Sequence, residues 1–251
     1  MAKFLKPYEC TDGGPSKMGR KSPLPSSMSE VARAQHLNKG RIFLYGTVDY
    51  DMAEMVREDL LFLRAEKPEG MEGLFVELRS PGGYLEPAFE IYDSFMLFMA
   101  ETEIPIQILV VGEAASAASS IILQAAFPGM RILSDNCSIM CHHMTLYPGP
   151  MTHKGFEDEN WGERVKRGYS RELKKVYKIL TSRTGKSEEE IKDLFDSEEM
   201  LSPDEAVAFG LADQVFHLGF MPTKEKGTRK QRTKSAPGTD TPSANSGNVA
   251  E

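Results

Sequence analysis

Three groups of residues are of types and spacings that do chemistry. The first is Ser116, set in the run Gly112-Glu113-Ala114-Ala115-Ser116-Ala117-Ala118-Ser119-Ser120. Ile106 to Val111 before it is an apolar, β-branched run that reads as a buried parallel strand. Ile121 to Ala126 after it reads as the body of a buried helix over 116–127. A serine between the two sits at a helix N-terminus, where unpaired N–H groups and the positive dipole end favour negative charge. That setting suits a nucleophile whose attack creates an oxyanion; it equally suits a helix N-cap in a tightly packed core. The second group is Ser80-Pro81-Gly82-Gly83, which follows the strand Gly73–Leu78. It sits at the strand edge where open α/β sheets place ligands, and its paired glycines bring backbone N–H groups close to a bound chain. An ordinary strand–helix turn has the same composition. The third is His142, which ends a predicted strand 138–142, 26 residues after Ser116. A neutral imidazole within hydrogen-bond reach makes a serine nucleophilic. His143 is its neighbour and competitor, and because successive strand residues face opposite ways only one of the two faces Ser116. His36, His153 and His217 lie in loops or at ends and rank lower.

Two other motifs fail on spacing. Cys137 and Cys141, with His142 and His143, look like metal ligands, but in an extended segment the two cysteines are about 13 Å apart. Zinc ligands lie ~2.0–2.3 Å from the ion, so no metal is expected. Thr184-Gly185-Lys186-Ser187 resembles the end of a phosphate-binding loop, yet position 180, where that loop needs glycine, is Leu180. The segment reads as a helix–turn–helix junction, and no ATPase is expected in this chain.

The elements that must position these groups alternate. Arg41 to Gly46 is a predicted strand, followed by a helix from about Tyr50 to Glu66 with Met52, Met55, Val56, Leu60 and Leu63 on one face. After the strand Gly73–Leu78 a helix runs from about Leu85 to Met99, and short strands are predicted at 131–133 and 138–142. Repeated βα units of this kind predict a parallel sheet covered by helices on both faces. Residues 144–156 include Pro148-Gly149-Pro150, which excludes a regular helix. A long polar helix is predicted from Glu157 to Arg183, closed by Gly185, with a thin stripe of Trp161, Val165, Tyr169, Leu173, Val176 and Leu180. So thin a stripe on so long a helix predicts an element that projects and packs on a partner. Ser187-x-x-Glu190 and Ser202-Pro203-Asp204-Glu205 are capping boxes, and 213–216 returns to the sheet.

The 251 residues, 40% hydrophobic, suffice for one core with flexible ends. Residues 1–38 read as a flexible leader or propeptide with a short helix near Ser29–Arg33, residues 39–221 as the folded domain, and 222–251 as a disordered tail. The net charge of -7 hides basic ends around a core of about -15 over 42–221. Such a core excludes general nucleic-acid binding. No apolar run reaches the ~20 residues of a membrane span, the N-terminus lacks a signal-like apolar region, and three cysteines make no disulfide framework. A cytoplasmic protein without membrane or nucleic-acid partners is expected.

Together these residues resemble a known family. Gly46 to Ala53, the Ser-Pro-Gly-Gly turn, Ile91-Tyr92-Asp93, Gly112-x-Ala114-Ala115-Ser116, the His142 strand end and Leu201-Ser202-Pro203-Asp204-Glu205-Ala206 occur in the order and near the spacing of the Clp protease proteolytic subunits, the ClpP-type serine peptidases. The resemblance spans residues 41–216, about 70% of the chain. It implies an α/β fold of the ClpP/crotonase type, a ββα superhelix with a projecting handle over about 144–184. It implies Ser116 as nucleophile, His142 as general base and the N–H groups of Gly83 and Ala117 as an oxyanion hole. It further implies homo-oligomeric, heptameric rings stacked through the handle around a proteolytic chamber. Protein or peptide substrates would come from a separate AAA+ unfoldase; no cofactor is expected in this chain, and ATP enters only through that partner.

Three departures from the family's pattern stand out. The third triad member is usually an aspartate, and Glu198 stands there, with Glu199 and Asp196 as neighbouring carboxylates that could serve instead. Glutamate orients an imidazole as aspartate does, but its extra methylene moves the carboxylate by more than about an ångström. The strand before Ser80 carries Phe75 and then Glu77 where aromatics of an unfoldase-docking pocket are usual, and Arg79 replaces the usual asparagine. Residues 1–38 do not match the family's axial segment, and the loop after His142 is longer. The expected function is a serine endopeptidase, either in general turnover with an unfoldase or on a dedicated substrate such as a capsid scaffold in a divergent, phage-like member. A catalytically inactive ring subunit with a structural role is the alternative, and a crotonase-type acyl-CoA enzyme, which shares the superhelix but needs no Ser–His pair, is a third reading.

Overall fold

β-Branched runs flanked by glycine and proline form the strands, and the amphipathic segments between them form the helices, in a computed structural model that describes residues 28–66, 70–145 and 160–217. Most of the predicted leader, most of the loop after His142 and the whole of the predicted tail lie outside the described residues. The predicted short helix near Ser29 is α1, Met28–Leu37. It leads into β1 (Arg41–Tyr45), α2 (Tyr50–Glu66), β2 (Leu74–Ser80), α3 (Leu85–Thr102) and β3 (Ile106–Ala115). After a short non-α helical stretch come β4 (Arg131–Ser134) and β5 (Ser138–Met140). The chain then continues through α4 (Trp161–Thr184), α5 (Glu188–Ser197), β6 (Met200–Leu201), α6 (Pro203–Phe209) and β7 (Gln214–Phe216).

The sheet runs β1-β2-β3-β4-β7 with every neighbour parallel, while β5 pairs with the far end of β3 and β6 runs antiparallel to β5. Strand β3 is longer than predicted, because Gly112 to Ala115 continue it rather than forming the turn. Opposite β2 the register steps from Leu78↔Val110 to Ser80↔Ala114, so β3 carries two extra residues there. Gly112, at φ +82°, accommodates the bulge. The bulge changes the neighbour of β3: before it Ile108 to Val110 pair with β4, and beyond it Glu113 to Ala115 pair with β5. The serine run is thereby raised onto a short second tier of sheet together with β5 and β6.

The described helices do not cover both faces of the sheet as the alternation predicts. All the helical core residues (Met52, Val56, Leu60, Ile91, Phe95, Phe98, Val176, Leu180, Ile191 and Phe195 among them) pack with Ile42, Leu44, Val76, Leu78, Ile108 and Val110 in one cluster. Among the described residues the other face holds only strand residues: Phe75, Leu109 and Ile132, with Val111 and Phe216 against them. Successive side chains of a strand alternate between faces, and on this second face β2 presents Phe75, Glu77 and Arg79, too polar a row to seat a helix. Here Tyr45 donates to Glu77, Arg79 lies 4.9 Å from the Tyr45 ring centre and Arg41 lies 5.7 Å from that of Phe75.

Two charged links tie the ends of the fold to its body. In the first, Asp59 on α2 is 3% exposed and accepts from Arg33 Nε of α1 at 2.8 Å. In the second, Arg131 on β4 donates through Nε and Nη2 to Asp213 at 3.1 and 2.6 Å, and through Nη1 to Gln124 and the carbonyl of Gly210 at 2.8 Å each. Helix α4 buries only Val176, Tyr177 and Leu180, all in its C-terminal part. Its first turns leave Trp161, Val165 and Tyr169 half-buried, as expected of a projecting helix. Gly185 caps α4 in the left-handed region, and both predicted capping boxes are formed at Ser187 and Ser202. The Thr184–Ser187 segment is thus the helix–turn–helix junction read from its spacing.

Candidate active site

The polypeptide leaves β3 through Ser116, which is held at φ +57°. A non-glycine residue in the left-handed region costs of order 1–3 kcal/mol and persists only where its surroundings over-determine it. Several bonds do so. Ser116 N–H donates to Met140 O at 2.8 Å, continuing the β3–β5 ladder by one rung, and Ser120 N–H donates to Ser116 O at 2.9 Å. Ser119 Oγ lies 2.6 Å from Met140 O and 3.0 Å from Ser116 O. The predicted helix over 116–127 is a π turn, Ala118–Ile122, followed by a 3-10 turn, Leu123–Ala125. Back-bonding by a serine hydroxyl competes with the regular ladder and bends the chain, and the Gln124 amide also draws on Ser119 O at 2.9 Å. π turns of this kind are frequent at functional sites.

The Ser80–Gly83 turn packs directly against this serine. Gly82 N–H donates to Ser80 Oγ at 3.0 Å, and Gly82 sits at φ +92°. A Cβ on Gly82 would stand 2.6 Å from Ala115 O and from Ser116 Cβ, and 3.1 Å from the Ala117 nitrogen. Gly83 bridges to Val48, whose N–H takes Gly82 O and whose carbonyl takes Tyr84 N–H. A Cβ on Gly83 would stand 2.1 Å from Val48 O, so both positions require glycine. Among the described residues no backbone carbonyl accepts from Gly83 N–H or Ala117 N–H. Two free peptide donors beside a serine are what an oxyanion hole needs. The bonding of the neighbouring backbone, rather than composition, leaves them free.

Strand β5 stops at Met140 rather than reaching His142, which lies half-buried just past its end. The β5–β6 ladder pairs Ile139↔Leu201 and Met140↔Met200. Carried two residues further, that antiparallel register sets His142 opposite Glu198, the C-cap of α5 at φ +51°. Among the described residues no side-chain hydrogen bond joins Ser116, His142 and Glu198 to one another. The neighbouring pair is joined: His143 Nε2 and Asp196 Oδ1 are 2.7 Å apart, and Asp196 also accepts from Lys192 at 2.5 Å. Lys192 and then His143 hold the Asp196 carboxyl below the usual aspartate range. Glu199 is exposed just before β6. Of the lower-ranked histidines, His36 packs edge-on to Phe43, His217 pairs with Asp135, and His153 lies outside the described residues.

Cys141, just before the two histidines, is buried against the serine run, with its Sγ 3.4 Å from Ser119 Oγ. Burial pushes its thiol above the ordinary value, so it remains protonated and does not compete as a nucleophile. Among the described residues no group of three or more His, Cys, Asp or Glu is arranged to hold a metal ion, and no helix is long and apolar enough to cross a membrane. A family model, described as Clp protease, matches residues 26–218, more than three quarters of the chain, and takes in all the elements described above.

Proposed function

The chain belongs to the Clp protease family, and from that premise we propose that it is a serine endopeptidase acting through Ser116. Its family membership supports a protease of the ClpP type; the roles of individual residues are our assignment. The observation that carries the assignment is the strained Ser116 turn set against Gly82, with the N–H groups of Gly83 and Ala117 free on either side. In this reading His142 takes the proton of Ser116 Oγ as the oxygen attacks the peptide carbonyl. The oxyanion forms within reach of Gly83 and Ala117 N–H, each such donor being worth about 10²–10³ in rate. His142 then gives the proton to the leaving amine, and water, activated by the same imidazole, hydrolyses the acyl-serine. Glu198 orients the imidazole from the facing register position.

The half-exposed N-terminal part of α4 supports a handle through which homo-oligomeric rings stack, enclosing the sites in a chamber. The strand-only apolar face, rimmed by Tyr45, Glu77 and Arg79, supports a docking surface for an unfoldase of altered polarity. The test is labelling by a fluorophosphonate in assembled protein, comparing wild type with Ser116→Ala and mapping the adduct by mass spectrometry. An adduct on Ser116, absent from the variant, is the expected result. No adduct in protein that has assembled into rings would instead assign a non-catalytic ring subunit.

A further inference from the structure

Beyond the residues that touch substrate, the site holds a second histidine–carboxylate pair. We propose that His143 and Asp196 are a positioning pair that clamps the His142 segment to the Glu198 segment; the proposal rests on the serine peptidase reading above. The backbone ladder between these two segments ends at Met140↔Met200. The next bond that joins them is the side-chain bond from His143 to Asp196 at 2.7 Å. His142 and Glu198 fall between these two fixed points, on stretches without ladder hydrogen bonds of their own. Short stretches held at both ends, Cys141–His142 on one side and Ser197–Glu199 on the other, keep an imidazole in place where a free strand end would let it drift, and misplacement by about an ångström costs up to ~10²-fold in rate.

The geometry also separates His143 from the general base. Its Nε2 is engaged by Asp196, and its Nδ1 is buried without a hydrogen-bond partner. A bare ring nitrogen tolerates such a place far better than an N–H, so the proton sits on Nε2 and points at the carboxylate. The ring lies edge-on to Phe195, centroids 5.5 Å apart, and Phe195 is fully buried and packs on Tyr177 of α4 at 5.8 Å. His143 is therefore packed toward the helical core, the side to which Cys141 also turns. The opposite side at this strand end is left to His142. Lys192, one turn before Asp196 on α5, binds the second carboxylate oxygen and keeps the acceptor charged and in position.

The test uses the assembled full chain and two readouts, the rate of Ser116 acylation by a fluorophosphonate and kcat and KM on a fluorogenic peptide. His143→Ala and Asp196→Ala are each expected to slow acylation and lower kcat about tenfold, with KM within about twofold. The double variant is expected to be no slower than either single one, because both remove the same bond. His143→Gln, whose Nε2 reaches the same place and donates to Asp196, is expected to recover most of the rate. Asp196 is exposed, so Asp196→Ala folds even if His143→Ala does not. Additive losses, or single variants at the wild-type rate, would overturn the clamp, as would a His143→Gln as inactive as His143→Ala, which would make His143 the base itself. A wild type that takes no label at Ser116 overturns the peptidase reading and the clamp with it; a labelled wild type with unaffected variants overturns the clamp alone.

Discussion

At the scale of single residues, the site depends on backbone more than on side chains. Ser116 and the Ser-Pro-Gly-Gly turn are legible in the sequence because small residues at a strand–helix junction have few other uses. Their mutual contact is not, since 2.6 Å between a would-be Cβ on Gly82 and Ser116 Cβ follows from a register shift in β3 that no local pattern announces. Gly82→Ala is therefore expected to abolish acylation of Ser116, because it must displace the serine turn itself and φ +92° admits no side chain cheaply. Retained labelling at the wild-type rate in Gly82→Ala would detach that turn from the site. The third acid is the least legible residue. The sequence offers Glu198, Glu199 and Asp196; register favours Glu198 for His142, while the hydrogen bond of Asp196 goes to His143. Glu198→Gln is expected to lower peptidase kcat by at least about a hundredfold, as loss of an orienting carboxylate does in serine triads. An unchanged rate would remove Glu198 from the triad.

At the scale of elements, most strands and helices fall where periodicity puts them, because capping boxes and apolar runs are local signals. The errors cluster where small residues dominate. Gly112 to Ala115 fit a turn and a strand equally well, and pairing with β5 decides between them. The helix after Ser116 is broken into π and 3-10 turns by serine and glutamine side chains bonded to Met140 and Leu211, far along the chain, and to Arg131. That polar network has a pH signature. Burial raises the pKa of Asp213, but hydrogen bonds and charge from Arg131, with Arg183 nearby, outweigh it and leave the carboxyl below its ordinary value. A depressed folded-state pKa contributes stability that is complete above the unfolded value of about 3.9 and is lost as pH falls through the lower, folded one. Asp213→Asn is thus expected to lower Tm at neutral pH and to flatten its fall in acid; a variant whose Tm still drops as steeply as wild type would place that acid sensitivity elsewhere. Arg131→Met, which also strands Gln124 and the Gly210 carbonyl, is expected to cost about 3 kcal/mol in denaturant unfolding.

At the scale of the whole molecule, the described helices clothe the sheet on one side only, and the sequence hides this because Phe75, Leu109 and Ile132 are as apolar as the strand residues that do face helices. Hydrophobicity reports that a residue is covered, not by what. The same holds for α4, whose thin stripe is the sequence signal behind the proposal that a partner covers it. Among the described residues the stripe meets the core from Leu173 onward, which leaves Trp161, Val165 and Tyr169 available to a partner. If that partner is the facing ring, a charge placed in the unused part of the stripe should separate rings without unfolding subunits. Val165→Glu meets both conditions, since glutamate is a good helix former and Val165 is not part of the core. The expected result in sedimentation velocity is a particle of half the wild-type mass, with Tm of the protomer changed by less than a few degrees. A particle of full mass would mean that the rings meet elsewhere. A monomer would mean that α4 builds the ring as well as the stack. In the expected case Ser116 remains reactive toward a small fluorophosphonate, because every donor and acceptor described around it comes from one protomer.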